Sequence, residues 1–148
     1  MRQVNLVSTI DNYGDSGSPT ANFGGDGVLG VGEDNTTTSV YRTLLKFDLS
    51  TIPAGATIKT ATLILTVSTD RSDNARTLSV FRVRRAWTQA GSTWNNWDTG
   101  NAWTTAMCAD TTNDREGTDI GTVTQPANPA VDSTVTVILI AAKVQDWI

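Results

Sequence analysis

Residues 41–67, YRTLLKFDLSTIPAGATIKTATLILTV, decide the fold. Tyr41, Thr43, Leu45, Phe47 and Leu49 fall on one face of the first half, with Arg42, Lys46 and Asp48 on the other. In the second half Ala61, Leu63, Leu65 and Val67 face one way, and Thr60, Thr62 and Thr66 the other. Alternation of period two marks strands with one buried and one wet face. Between the halves, Pro53 fixes φ and Gly55 tolerates a positive φ, which makes the connection a corner and not a helix. The pair is expected at the centre of a β-sandwich.

The rest of the composition agrees. Thr fills 25 of 148 positions, with 10 Ser and 10 Asn. Its branched Cβ suits a pleated surface while its hydroxyl faces water, so an all-β chain follows. One domain over residues 1–148 is expected, long enough to bury roughly 68–70% of its unfolded surface. The single Cys108 excludes an internal disulfide, and the chain has no His, the usual general base and neutral metal ligand. Net charge is -4, carried by thirteen Asp against two Glu. Such a balance argues against a nucleic-acid partner, because no basic excess exists to displace counterions. Arg82, Arg84 and Arg85 are the nearest thing to a basic patch and read as a solvated strand face. The opening MRQVNLVSTID lacks an apolar core long enough for a signal peptide, and no stretch reaches 18 apolar residues. A soluble chain without a secretion signal or membrane insertion is the expectation, with Met1 as a natural start.

Taken in order, Val4 to Ile10 reads as a first strand. Loop chemistry follows from Asp11 to Pro19 and through Asn22–Gly27, then the short apolar run Val28–Val31 and a polar loop from Gly32 to Thr38. After Val67 a hydrophilic connection spans Ser68–Asn74, and Thr77–Trp87 is a strand. Residues 87–118 break the pattern, with Trp87, Trp94, Trp97 and Trp103 spaced by Gly, Asn, Thr and Asp. A structureless run of that length is unusual inside a domain, so a short strand near Ser92–Trp94 is expected. Asp119–Thr124 and Thr134–Ile140 are further strands, and AAKVQDWI forms a helical turn with Val144, Trp147 and Ile148 on one side. The sum is an antiparallel, jelly-roll-like β-sandwich of about eight to ten strands with a short C-terminal helical turn.

Several motifs stand in a familiar order: Asp11-Asn12-Tyr13, Asn22-Phe23-Gly24, Leu29–Gly32, Arg42–Leu49, Ile52–Ile58, Val80–Val83 with Trp87, Ser92–Asn95, Gly117–Asp119 and Val144–Trp147. This order resembles the DNRLRE-domain family of β-sandwich modules, related to carbohydrate-binding modules, nearly end to end. The resemblance implies a non-catalytic module of a secreted or surface protein, some of whose relatives bind glycans or hold a structural calcium ion. The chain departs from that setting in lacking a signal and a catalytic partner domain. A phage virion protein, folded in the cytoplasm and released by lysis, fits those departures. The expected function is therefore a non-catalytic bacteriophage decoration or accessory protein at the virion surface, contacting surface glycans. Its expected partners are other virion or surface proteins, a homo-oligomer such as a trimer, and polysaccharide. The alternative is a carbohydrate-binding or adhesive module of a larger extracellular protein.

Three sites carry chemistry. Sugar rings stack their apolar C–H faces on indoles, and amides or carboxylates beside them bond hydroxyls, so Trp94, Asn96, Trp97, Asp98 and Trp103 form a glycan-binding set; Trp97 and Trp103 are the indoles expected to be exposed. The competing reading is that these rings pin a long loop or fill the core. Asp11, Asp15 and Asp26, with Asp119 if the sheet brings it near, offer hard oxygen donors for a structural calcium. Their spacing is not an EF-hand, and Asp also serves turns. Catalysis finds no support: no carboxylate pair is placed in a shared pocket, no nucleophile elbow or phosphate loop is present, and Cys108 has no His partner. The apolar end at Trp147-Ile148 either packs on its own domain or is covered by a second copy.

Overall fold

A computed structural model describes residues 3–69 and 73–148. Residues 70–72 of the Ser68–Asn74 connection and the Met1 start lie outside the described residues. The chain runs through β1 (Ser8–Asp15), β2 (Gly32–Glu33), β3 (Val40–Phe47), β4 (Ala61–Thr66), β5 (Arg76–Val80), β6 (Asn96–Asp98), β7 (Asn101–Ala102), β8 (Gly121–Gln125), β9 (Thr134–Leu139) and α1 (Ala141–Gln145). It is all-β and antiparallel, with one short C-terminal helix.

One sheet has the order β1-β3-β2. The other is built from two antiparallel ribbons, β4-β9 and β5-β8. The ribbons are joined where the Ile140 N–H donates to the Ile120 carbonyl at 2.7 Å, beside the start of β8. The residue 41–67 stretch therefore does not form a hairpin. Its two strands sit in different sheets, and the Pro53–Gly55 corner carries the chain across, with Gly55 at φ 82.

The alternation in β4 is as expected, with Leu63 and Leu65 half-buried and Thr62 and Thr66 exposed, and β9 alternates too: Val135 and Val137 are buried and Thr134, Thr136 and Ile138 exposed. On β3 it is not. Leu44, on the same face as Arg42 and Lys46, is the buried residue, 3% exposed. It joins Trp87, Trp103, Met107 and Cys108 in a buried core cluster. Both faces of β3 are used: one lies toward the second sheet, the other under the Trp-rich segment.

β1 also departs from expectation. Asp11–Asp15 reads as loop yet pairs along β3, Asn12 opposite Leu44 and Gly14 opposite Arg42. Tertiary demand overrides the turn-like composition there. Glycine at position 14 makes room for Met107, since a Cβ would come within 2.5 Å of its sulfur and force that buried side chain to shift. The short strand expected near Ser92–Trp94 falls instead at β6 and β7, closed by Gly100 at φ 74. After β5 the chain leaves the ladder, and Val83 makes only an isolated bridge with Arg115.

Between the sheets lies an open space of about 1250 Å³, walled by inner-face residues such as Leu45, Phe47, Leu63, Leu65, Leu78 and Val80. The accessible surface, 8781 Å², exceeds the roughly 7,300 Å² expected of a compact 15.8 kDa chain. That difference goes with inner-face side chains that stay half-exposed. At the C-terminus Val144 is buried, and Gln145 ties α1 to the corner by donating to the Ala56 carbonyl and accepting from the Ile58 N–H. No described helix is long and apolar enough to cross a membrane.

Candidate functional site

The Trp-rich segment is anchored from beneath by polar bonds. Asn12 is 1% exposed and donates its amide to the Ser92 carbonyl and hydroxyl and to the Gln89 carbonyl. Asn22 donates to the same two carbonyls, and Gln89 returns a bond to the Gly24 carbonyl. Loop 16–27 and turn 88–92 are thus laced together over β1.

The far end is held by Asp114, whose side chain is fully buried. Its Oδ1 accepts from Arg85 Nε at 2.9 Å and from the Thr104 N–H, and its Oδ2 from the Thr105 N–H. Burial works against its charge, but these bonds prevail and hold the carboxyl below the ordinary value. Cys108 is buried beside it and donates its thiol hydrogen to the Asp114 carbonyl. Desolvation pushes that thiol up to about 12. It is inert, not a nucleophile.

The five residues proposed for glycan contact divide. Trp103 is 5% exposed and donates its indole N–H to the Thr93 carbonyl at 3.1 Å, so the expectation of an exposed Trp103 is corrected. A large ring with a satisfied polar handle fills the core and offers no stacking face. Trp87 is likewise buried. Trp94, Asn96, Trp97 and Asp98 remain half-buried, within or next to the β6-β7 hairpin. Each of the two half-buried indoles carries a guanidinium on one face: Arg42 lies 5.3 Å from the Trp94 ring centroid and Arg85 5.8 Å from that of Trp97. Asp98 accepts from the Thr88 hydroxyl at 2.6 Å through Oδ1. Bonds from Thr88 and from the Thr99 backbone keep its carboxyl below the usual range, charged at neutral pH. None of Trp94, Asn96, Trp97 or Asp98 lines the space between the sheets. They lie instead on the outer hairpin and its approach, where Trp94 and Trp97 pack one side against the buried cluster of Leu44, Trp87, Trp103, Met107 and Cys108.

The aspartates proposed for calcium do not gather. Asp11 accepts from the Ser8 hydroxyl, Asp15 from the Gly17 N–H and Asp26 from the Tyr13 hydroxyl, while Asp119 precedes β8 in the second sheet. Among the described residues no three His, Cys, Asp or Glu side chains come together. Two features escaped the sequence reading. Tyr13 stacks on Phe23 at 4.5 Å and pins the glycine-rich loop, and burial with the Asp26 bond pushes its phenol up to about 12. Asp114 had no signal at all, being one Asp among several in a polar run.

The chain is an antiparallel β-sandwich that presents half-buried indoles beside amide and carboxylate groups. The model of carbohydrate-binding module family 96 matches residues 2–146, and the chain belongs to that family. No curated protein and no solved structure matches it.

Proposed function

We propose that the protein is a non-catalytic polysaccharide-binding module of a larger extracellular or surface-associated protein, the alternative reading of its sequence. The observation that supports it best is the β6-β7 hairpin, where Trp97 stands half-buried between Asn96 and Asp98 on a segment anchored at both ends. An indole face takes the C–H side of a pyranose, while the Asn96 amide and the charged Asp98 carboxylate are available to its hydroxyls. A preorganised platform spends little entropy on binding. The family match supports this reading and lends nothing to the virion setting; neither a virion partner nor a trimer has an observation behind it.

Affinity electrophoresis through gels cast with single soluble polysaccharides tests the function. The wild-type chain should be retarded by at least one of hydroxyethylcellulose, arabinoxylan or galactomannan. Trp97→Ala should run unretarded yet stay folded, with a smaller loss of melting temperature than Trp103→Ala, because Trp97 packs against the core cluster but stays half-exposed. A mutant that unfolds, or one that still binds, removes Trp97 from the site.

A further inference from the structure

We propose that Arg85 is a positioning residue for Trp97: clamped by Asp114 and Thr104, it fixes the indole in the orientation that receives the sugar without touching the sugar itself. This rests on the polysaccharide-binding reading of Trp97. Arginine side chains at a surface ordinarily sample many rotamers. Here the guanidinium is held at two points, Nε to Asp114 Oδ1 at 2.9 Å and Nη2 to Thr104 Oγ1 at 2.8 Å. Its carboxylate partner is fully buried and is itself fixed by the Thr104 and Thr105 N–H groups. Clamped along its edge, the planar group turns toward Trp97 and sits 5.8 Å from the ring centroid. Lysine could neutralise Asp114 but has neither the second donor in a fixed fork nor a planar face for the ring. The companion pair is looser: among the described residues Arg42, beside Trp94, donates to the Ala106 and Met107 carbonyls, at 3.2 and 3.3 Å. Asp114 therefore reaches the platform through one rigid intermediary, and the buried ion pair has a use beyond holding the loop.

The test separates orientation from stability. The full chain is labelled with 5-fluorotryptophan, and the Trp97 resonance is assigned with Trp97→Phe. Arg85→Lys keeps a cation against Asp114; Thr104→Val removes one clamp point and leaves the ion pair intact. Both should shift or broaden the Trp97 fluorine signal while Trp87 and Trp103 stay in place. Both should weaken retardation in the hydroxyethylcellulose, arabinoxylan or galactomannan gel by roughly three- to fivefold, the scale of one lost cation–π contact. An unmoved Trp97 signal in both variants overturns the proposal. So does a collective shift of all the tryptophan signals in Thr104→Val, which would make Arg85 a structural tie only. If no gel retards the wild type, the polysaccharide reading fails for these glycans, and the fluorine spectra still decide whether Arg85 sets the ring.

Discussion

Asn12 on β1 donates its side-chain amide to both the carbonyl and the hydroxyl of Ser92, at 2.9 and 2.7 Å, across 80 positions of the chain. Both residues are buried, at 1% and 0% exposure, and the same amide reaches the Gln89 carbonyl at 3.2 Å. This side chain thus docks the near end of the Trp-rich segment onto the sheet, together with Asn22 on the same carbonyls.

Asn12→Ala should accordingly cost about 1–2 kcal/mol, because it takes the 2.7 Å donor from the buried Ser92 hydroxyl, while Asn22 still bonds the Ser92 and Gln89 carbonyls. Asn12→Asp should cost at least as much, since it turns a carboxylate toward carbonyl oxygens. The urea midpoint measures both. Losses under about 0.5 kcal/mol would mean the turn is held by Asn22 alone.

Trp103 and Trp97 should separate cleanly in stability. Trp103→Phe leaves the Thr93 carbonyl without its 3.1 Å donor and shrinks a core ring, for about 2–3 kcal/mol. Trp103→Ala should cost about 3–5 kcal/mol. The Trp97→Ala change, at a half-buried position on the edge of the same cluster, should cost less than Trp103→Ala. Equal thermal shifts for the two alanine variants would contradict the division between core and platform.

Much of the sandwich was legible because its signal is local. In β4 and β9 a residue's neighbours at i±2 share its environment, so Leu63, Leu65, Val135 and Val137 announce an inner face. In β1 the local signal points the wrong way. Asp-Asn-Tyr-Gly-Asp is turn chemistry, and only Met107 and Ser92, far along the chain, make Asn12 and Gly14 the right residues for a strand. Leu44 shows the same limit. Its face carries Arg42 and Lys46, which look wet until Arg42 is seen lying against Trp94. For the site, clustering of Trp, Asn and Asp located the segment. It could not separate Trp103 from Trp97, because both sit among polar neighbours and differ only in what packs over them. Asp114 was illegible for the same reason: its partner Arg85 lies 29 positions away and reads as a surface charge.

Acid should act through Asp114. Its folded carboxyl titrates below the ordinary value of 3.8, so at neutral pH the native state gains stability from the charged form. As pH falls past 3.8 the unfolded chain takes up the proton first, and that stability is lost progressively as the folded carboxyl is protonated in turn. Asp114→Asn should lower stability at pH 7, leaving Arg85 without its counter-charge, and should flatten the acid limb of the stability curve. Some slope should remain, because Asp48, Asp98 and Asp110 are also depressed by hydrogen bonds. An unchanged acid limb in the variant would remove Asp114 as its main source.

Cys108 supplies a probe of how the segment opens. Its thiol is buried, bonded to the Asp114 carbonyl at 3.3 Å and pushed up to about 12, so at pH 8 only about one thiol in ten thousand is ionised. A disulfide reagent such as 5,5′-dithiobis(2-nitrobenzoate) should therefore react only through unfolding of residues 104–114. In native buffer at pH 8, labelling should be slow, accelerate with urea, and run faster in Asp114→Asn and Arg85→Lys, which loosen the contacts closing over the sulfur. Asn12→Ala acts at the other anchor of the segment. If opening is cooperative from Ser92 to Asp114, it should speed labelling as well; if the two anchors open separately, its labelling rate should match the wild type. Complete labelling within the mixing time in native buffer would show that the thiol is open to solvent and that the Asp114 end is not closed.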